Sequence, residues 1–429
     1  MKKIKIEKHN QLKGEAIVPA DKSISHRAVM IASISNGTTF VSNFLKSEDC
    51  LWTIDVFRKL GIEIIQKDQN SYHINSNGYD SLKQPEDDLY FGNSGTGLRL
   101  TSGILAGSFL SSVLTGDDSL SLRPLKRITQ PLRMMGADIQ GPEDAGHLPL
   151  TIKGKKLKGI NYVSPVSSAQ VKSSLLLAGL NASGPTSITE PFKSRDHTEN
   201  MLKAFGADIE IDGLKVTVNP IDKLKARDIK IPTDISSAAF FIIAALITEN
   251  SEIMIKNVGV NKTRTGLLDI LQRMEADLSI INKAPEAIEP LADICVKSSE
   301  LKPFIIEKNM IPRLIDEIPI LMVAATQAHG TSQIKDAAEL RVKETDRIES
   351  MTVGLSKMGA KIDVQGNDIY ITGPTSLRGA EIDSYSDHRT AMSFLIAGLV
   401  SRGTTEVIDT DCIETSFPDF FKNLMQVIM

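Results

Sequence analysis

The charges with chemical promise in this chain are cations, and they stand where cations are least expected. Lys22 and Arg27 flank the start of one apolar, helix-like run, and Arg99, Lys172 and Arg389 stand near the first turn of three others. A helix N-terminus carries partial positive charge, so it favours Asp or Glu and disfavours Lys or Arg. Any single case is explained by solvation or by a neighbouring acid such as Asp21 or Asp387. Recurrence at equivalent points of several runs asks for more. A bound polyanion resolves the conflict, because helix N-termini and arginine forks are both anion sites. The small residues at these starts, in SIS, GNSGTG and SSAQ, let backbone N–H groups approach a phosphate.

Acids sit beside these cations. Asp316 and Glu317, in RLIDEIPIL, open another apolar run. They suit helix capping, and a carboxylate there is also a general base if it meets a substrate hydroxyl. RVKETDR, from Arg341 to Arg347, holds five charges in seven residues. Read as a helix start, it puts Lys343 and Arg347 on one face at i,i+4, where they repel unless an anion lies between them. Glu344 is placed to exchange a proton. LYFGNSGTGLR has neither P-loop nor GxGxxG spacing, and serves as a tight turn or as a row of N–H donors at Asn93–Thr96. SRDHTE, around His197, lacks metal-ligand spacing and reads as a capped helix start. In YSDHRTAM, His388 reads as structural and Arg389 as a cleft cation.

These residues need a frame, and an internal repeat supplies it. Six apolar runs begin at Ser23, Thr96, Ala169, Ile235, Glu317 and Asp387, roughly 70 residues apart and so longer than common solenoid periods. Each is followed by a β-rich segment: TTFVSNF, SSVLTGD, PTSITEP, SEIMIKNV, TSQIKDA and TTEVIDT. A second amphipathic helix then ends alike in five copies, at Gly61, Gly136, Gly206, Glu275 and Gly359. That position is a helix C-cap of positive φ. Helices alternating with strands argue for an α/β layer architecture, in two domains of three repeats. The expected boundaries are residues 1–20 plus 234–429 for one domain and 21–233 for the other. Crossings fall near Ala20–Asp21 and Pro232–Asp234, and the active site lies in the cleft between the domains. A first strand, from Met1 to about Pro19, is expected to pair with the last repeat.

Bulk properties narrow the function classes. A length of 429 residues exceeds one ordinary core. A formal net charge of -4 gives no general attraction to nucleic acid or to an anionic membrane. Cys50, Cys295 and Cys412 form no CxxC pair and no disulfide framework, which fits reduced thiols in the cytoplasm. The N-terminus has no apolar h-region, and the longest apolar run, Ala238–Ile247, is too short for a membrane span.

DKSISHR, GNSGTGLR, LRP at Leu122–Pro124, SSAQVKS, RVKETDR and SDHRTAM occur in this order. Together they resemble the EPSP synthases of the shikimate pathway, over essentially the whole chain. SAQVK, RDHTE and NKTR resemble the class II branch. The resemblance implies a two-domain enolpyruvyl transferase fold, an inside-out α/β barrel of six βαβαββ units. It implies transfer of the enolpyruvyl group of phosphoenolpyruvate to shikimate-3-phosphate, without metal or cofactor, by a cytoplasmic monomer. Asp316, Glu344 and Lys22 are then catalytic. Lys22, Ser23, Arg27, Ser168, Ala169, Gln170, Arg195, Asp316 and Lys343 bind shikimate-3-phosphate. Lys22, Gly95, Arg123, Gln170, Arg347 and Arg389 bind phosphoenolpyruvate. Glyphosate is the implied inhibitor, with intermediate-to-high tolerance expected. Many family members carry a phosphate-contacting lysine where this chain has Thr415. Two rivals remain at this point: a UDP-N-acetylglucosamine enolpyruvyl transferase, which usually presents a reactive loop cysteine, and a non-catalytic anion-binding protein on the same repeats.

Overall fold

The computed structural model of the chain describes residues 2–284 and 288–429. The six apolar runs form six helices: α1 (Lys22–Ser33), α2 (Gly95–Ala106), α3 (Ala169–Gly179), α4 (Ile235–Ile247), α5 (Ile318–Gln327) and α6 (His388–Gly398). Past their first turns they are almost wholly buried, which suits the apolar residues that make up most of each run. In α4, each residue from Ile235 to Leu246 is buried. The second helix of a repeat has one apolar face only; Gly266–Arg273 buries Leu267, Leu268, Ile270 and Leu271 and leaves Gln272 and Arg273 exposed.

Each repeat closes a small sheet. In the second, strand Leu89–Tyr90 runs parallel to Ser111–Thr115, which pairs antiparallel with Leu150–Lys153, itself paired with Asp138–Gln140. The parallel pair needs a crossover, which α2 provides, and the antiparallel pair closes a hairpin. The unit is therefore βαβαββ. The third and fifth repeats have the same order, through Asn161–Val163, Thr186–Thr189, Lys215–Val218 and Ile209–Asp212, and through Ile305–Ile306, Gly330–Ile334, Asp368–Gly373 and Lys361–Gln365.

Contacts divide the chain into two compact units, one from Ala20 to Ile231, the other from the N-terminus to Pro19 and from Pro232 to Met429. The Ala20–Ile231 unit closes on itself, because Leu224–Lys225 and Ile229–Lys230 supply the parallel edge to Ser35–Ser42 of its first repeat. The other unit borrows the N-terminal segment. That segment is two strands rather than the one expected from the sequence. Lys3–Ile6 pairs antiparallel with Thr405–Ile408 of the last repeat, and Lys13–Glu15 pairs parallel with Glu252–Gly259 of the fourth. The polar stretch EKHNQ between them ends the first pairing before the second begins. Met1, the expected start of that strand, lies outside the described residues.

Two local features tie the repeats to their letters. Gly61, Gly136, Gly206 and Gly359 adopt φ of 85, 97, 88 and 92° at the ends of second helices, and Glu275 holds the same left-handed turn at φ 59° despite its Cβ. Gly103 lets α2 and α3 meet backbone to backbone, since a Cβ there would lie 2.1 Å from the Ser174 carbonyl oxygen.

Candidate active site

None of α1 to α6 carries an acid in its first turn. The acids stand one step earlier, as caps. Asp21 accepts from Ile24 N at 2.8 Å, Asp234 from Ser236 N at 2.9 Å and Asp387 from Arg389 N at 2.8 Å. Ser94 and Ser168 cap α2 and α3 by accepting from Gly97 N and Val171 N. With the first turn free of acids, the orphan N–H groups and the nearby cations keep their positive field.

In the Ala20–Ile231 unit the candidate residues cluster at the N-terminal ends of α1, α2 and α3. Lys22 forms an ion pair with the buried Asp49. Arg27 is held from three sides: Nε donates to Thr198 Oγ1 at 2.7 Å, Nη2 to Ser173 Oγ at 2.9 Å and Nη1 to the Ser23 carbonyl at 2.9 Å. Arg99 Nη1 donates to Gln170 Oε1 at 2.9 Å, and Gln170 Nε2 donates to Thr96 Oγ1 at 3.0 Å. Arg123 Nη2 donates to Asn93 Oδ1 at 2.5 Å. Gly95, the first residue of α2, lies beneath both guanidinium groups; a Cβ there would sit 2.8 Å from Arg99 Nη1 and 3.4 Å from Arg123 Nη1. Ser23, Ser168, Ala169 and Arg195 are partly exposed at the same helix starts or just before the helix His197–Ala204. Lys172 is different. It is buried and pairs with Glu190 at 2.9 Å and Glu199 at 2.8 Å, so this first-turn cation answers protein carboxylates.

In the other unit the cluster centres on one oxygen. Asp316 Oδ1 lies 3.2 Å from Arg347 Nη1, 3.8 Å from Lys343 Nζ and 3.9 Å from Arg389 Nε. Arg347 is 1% exposed and also donates to Asp387 Oδ2 through Nε at 2.7 Å and to Glu344 Oε2 through Nη2 at 2.5 Å. Burial disfavours its charge, but the carboxylates of Asp387, Glu344 and Asp316 more than offset that and raise its pKa above the ordinary arginine value. Behind it, Ser236 at the start of α4 bonds both Glu317 and Arg264, and Arg264 reaches Asp234 at 3.1 Å. Ser236 thus ties the start of α4 to Glu317 at the start of α5, and Arg347 ties Asp316, just before α5, to Asp387, the cap of α6.

The structure changes the reading of RVKETDR. Asp346 caps the helix Arg347–Lys357 by accepting from Ile348 N and Glu349 N, and Lys343 lies before the cap in extended backbone. Lys343 and Arg347 therefore do not share a helix face by i,i+4 spacing. The anion between them is the carboxylate of Asp316. In SRDHTE, Asp196 precedes the helix without a side-chain cap bond; its carboxylate meets Lys193 and Asn200 instead. Sequence reasoning missed Asp49, Asn93, Thr198 and Glu190 as partners of the expected site residues. Each is distant in sequence from at least one group it holds, and no local spacing marks it.

His26, in the DKSISHR segment, is fully enclosed. One ring nitrogen meets Thr53 Oγ1 at 2.7 Å and the other Ser94 Oγ at 3.4 Å. Burial, then the charges of Lys22 and Arg27, hold its pKa well below the ordinary histidine value. It is a neutral strut between the first and second repeats. Burial also pushes the thiols of Cys50 and Cys412 up to about 12, which keeps both in the unreactive thiol form. Cys295 lies inside the strand Leu291–Lys297. No loop cysteine of the kind expected in the UDP-sugar enzyme stands among them. Among the described residues no group of three or more His, Cys, Asp or Glu is arranged to hold a metal ion, and no helix is long and apolar enough to cross a membrane.

The family model described as EPSP synthase (3-phosphoshikimate 1-carboxyvinyltransferase) matches residues 6–424. The chain belongs to the EPSP synthase family. A Bacillus pumilus protein named 3-phosphoshikimate 1-carboxyvinyltransferase is 50% identical over 422 residues, covering 98% of each chain. A protein of that name from Bacillus subtilis is 49% identical over 422 residues, again covering 98% of each. The solved EPSP synthase of Acinetobacter baumannii superposes with a TM-score of 0.90 at 44% identity, covering 100% of this chain and 98% of that one. An enolpyruvyl transferase of Streptomyces tendae, 16% identical, shares the fold with a TM-score of 0.80. The fold is therefore the two-domain enolpyruvyl transferase fold that the family resemblance implies, and the six repeats agree with it. Thr415, the position where a phosphate-contacting lysine is expected in many family members, ends the 3-10 turn Thr410–Thr415, and its hydroxyl donates to the Cys412 carbonyl at 2.7 Å.

Proposed function

We propose that this chain transfers the enolpyruvyl group of phosphoenolpyruvate to the 5-hydroxyl of shikimate-3-phosphate, giving EPSP and phosphate. What carries the reading is the meeting of Lys343, Arg347 and Arg389 on one oxygen of Asp316, in a chain that shares its whole length with relatives of that name. A non-catalytic anion binder has no use for a carboxylate at the centre of its cations.

The chemistry needs two anion clamps, a base and a proton donor. The 5-hydroxyl oxygen attacks C2 of phosphoenolpyruvate while Asp316 takes its proton, and C3 gains a proton from Glu344 or Lys22. The tetrahedral intermediate then loses a proton from C3 and expels phosphate. Arg123, Arg347 and Arg389, with Lys22, Gly95 and Gln170, hold phosphoenolpyruvate; arginine forks stay charged and grip carboxylate and phosphate bidentately. Lys22, Ser23 and Arg27, with Ser168, Ala169, Gln170 and Arg195, hold shikimate-3-phosphate, whose hydroxyls meet Asp316 and Lys343. In this reading, water kept away from the bound substrates strengthens each of these contacts.

The chain acts as a metal-free cytoplasmic monomer in this reading. The test is phosphate release from shikimate-3-phosphate and phosphoenolpyruvate, repeated with EDTA and with UDP-N-acetylglucosamine as acceptor. Turnover with the first acceptor alone, unaffected by EDTA, is expected. Turnover only with the UDP-sugar, or none with either, rejects the proposal.

A further inference from the structure

The mechanism leaves a buried charge cluster unused. Lys172 in α3, Glu190 after the strand Thr186–Thr189, and Glu199 in the helix His197–Ala204 have side chains that are 1 to 2% exposed. Charges this deep are costly unless they are paired and hydrogen-bonded. The Lys172 ammonium meets Glu190 Oε2 at 2.9 Å, Glu199 Oε1 at 2.8 Å and the Ser194 carbonyl at 3.4 Å, so all three of its donors have acceptors. Burial disfavours its charge, but the two carboxylates prevail and raise its pKa.

The two glutamates are not equivalent. Glu190 accepts from Ser168 N at 3.0 Å through Oε1, and from Ser194 Oγ at 2.8 Å and Ser194 N at 3.4 Å through Oε2, besides Lys172. Four donors and no acceptor are the surroundings of a carboxylate. Glu199 pairs with Lys172 through Oε1, while its Oε2 has no hydrogen-bond partner. Burial raises its pKa, with Lys172 opposing, so Glu199 is the less well stabilised of the two acids.

The groups Glu190 holds are the two ends of the expected phosphate cradle. Ser168 caps α3 and begins the Ser168–Ala169–Gln170 run, and Ser194 immediately precedes Arg195. A second link runs alongside: Ser167 Oγ donates to the Phe192 carbonyl at 2.8 Å and accepts from Phe192 N at 2.9 Å. A bare carboxylate here would repel a phosphate. Lys172, delivered from below by the same helix, cancels that repulsion.

We propose that Glu190, neutralised by Lys172, is the positioning residue that sets the spacing between the Ser168–Gln170 helix start and Arg195, and so the fit to the phosphate of shikimate-3-phosphate. It does not touch substrate. The inference rests on the proposed function, and it predicts a defect confined to one substrate and one group of it.

The experiment compares wild type with Glu190→Ala, Glu190→Gln and Lys172→Met. Steady-state kinetics are measured for each substrate in turn, with shikimate as a poor acceptor lacking the phosphate. Glu190→Ala raises KM for shikimate-3-phosphate by roughly 10- to 100-fold, the scale expected of an ångström-level misplacement. KM for phosphoenolpyruvate and kcat/KM for shikimate stay within a few-fold of wild type. Glu190→Gln keeps one acceptor oxygen and turns the other into an NH2 donor, which only the Ser194 hydroxyl can accept, so it recovers part of the loss and less than full wild-type binding. Equal losses with both acceptors, or unchanged KM for shikimate-3-phosphate in folded Glu190→Ala, overturn the inference. If Glu190→Ala does not fold, Lys172→Met decides by the same split, because it leaves the carboxylate facing the phosphate unbalanced; a folded Lys172→Met without the split overturns the inference too. Wild-type protein without turnover of shikimate-3-phosphate rejects the proposed function itself, through a measurement that involves no variant.

Discussion

Arg347 donates to Asp316 at 3.2 Å while its other nitrogens are held by Asp387 and Glu344. A guanidinium ringed by three carboxylates is fixed in direction, and so is the acid it holds. Asp316 therefore meets a substrate hydroxyl from a set position, which is what a general base needs. Asp316→Asn keeps the shape and part of the hydrogen bonding. It is expected to leave substrate binding largely intact and to lower kcat by roughly 10²- to 10⁴-fold. Single-turnover kinetics with equilibrium binding of shikimate-3-phosphate check this; unchanged turnover removes Asp316 from the mechanism.

Lys22 stands at the first position of α1 against the buried Asp49. Lys22→Ala deletes a cation common to both proposed substrate clamps. A drop in kcat/KM of at least roughly 100-fold is expected, the scale of losing one preorganised charge stabiliser. Lys22→Arg keeps the charge without the point geometry and should recover only part. Near-normal kinetics for Lys22→Ala would contradict the assigned role.

Gly95 underlies Arg99 and Arg123. In Gly95→Ala the new methyl displaces the end of the Arg99 side chain and crowds Arg123. The expected result is a KM for phosphoenolpyruvate raised severalfold and glyphosate inhibition weakened by more, with KM for shikimate-3-phosphate little changed. Wild type itself is expected to show intermediate-to-high glyphosate tolerance. An inhibition series against phosphoenolpyruvate measures both, and strong competition at low glyphosate rejects the second expectation.

His26 carries the pH prediction. Its folded pKa is depressed by burial and by Lys22 and Arg27, with Asp21 opposing, while the unfolded value is 6.5. Between the two, the unfolded chain binds a proton that the folded chain does not. Its contribution is thus complete above pH 6.5 and is lost as pH falls below it, at up to about 1.4 kcal/mol per pH unit. His26→Gln retains partners for Thr53 and Ser94 but does not titrate. Thermal or urea unfolding at pH 7.5 and 5.5 should show a smaller acid loss in the variant than in wild type. Equal losses would mean that His26 is not the group responsible.

Much of this was legible in the letters. The six helix runs, the strands after them and the positive-φ positions, including Glu275, follow from local pattern, because periodicity and turn chemistry act within a few residues. The split of the N-terminal segment into two strands was not legible, since it is decided by partners at Glu252–Gly259 and Thr405–Ile408, hundreds of residues away. The same limit applies to the site. Cations at helix starts could be seen, but their partners could not. Arg347 and Lys343 do flank an anion. The helix that was supposed to align them begins only after Asp346, and the anion is Asp316. Lys172 looked like the other first-turn cations until burial among Glu190 and Glu199 set it apart.

The borrowed N-terminal strands have a consequence for how the protein is made. The Ala20–Ile231 unit is a continuous stretch that supplies its own edge strands, so a ribosome can finish it while the rest is still being translated. The other unit cannot close until Thr405–Ile408 has emerged to meet Lys3–Ile6. For most of synthesis the first strand therefore waits without its partner, and this pairing, like the Leu12–Ile428 bridge, closes a loop of nearly the whole chain at a high loop-closure cost. Release of the C-terminus, rather than formation of any one core, then sets when the whole protein is native, and truncation near residue 405 should leave Ala20–Ile231 as the longest independently ordered piece.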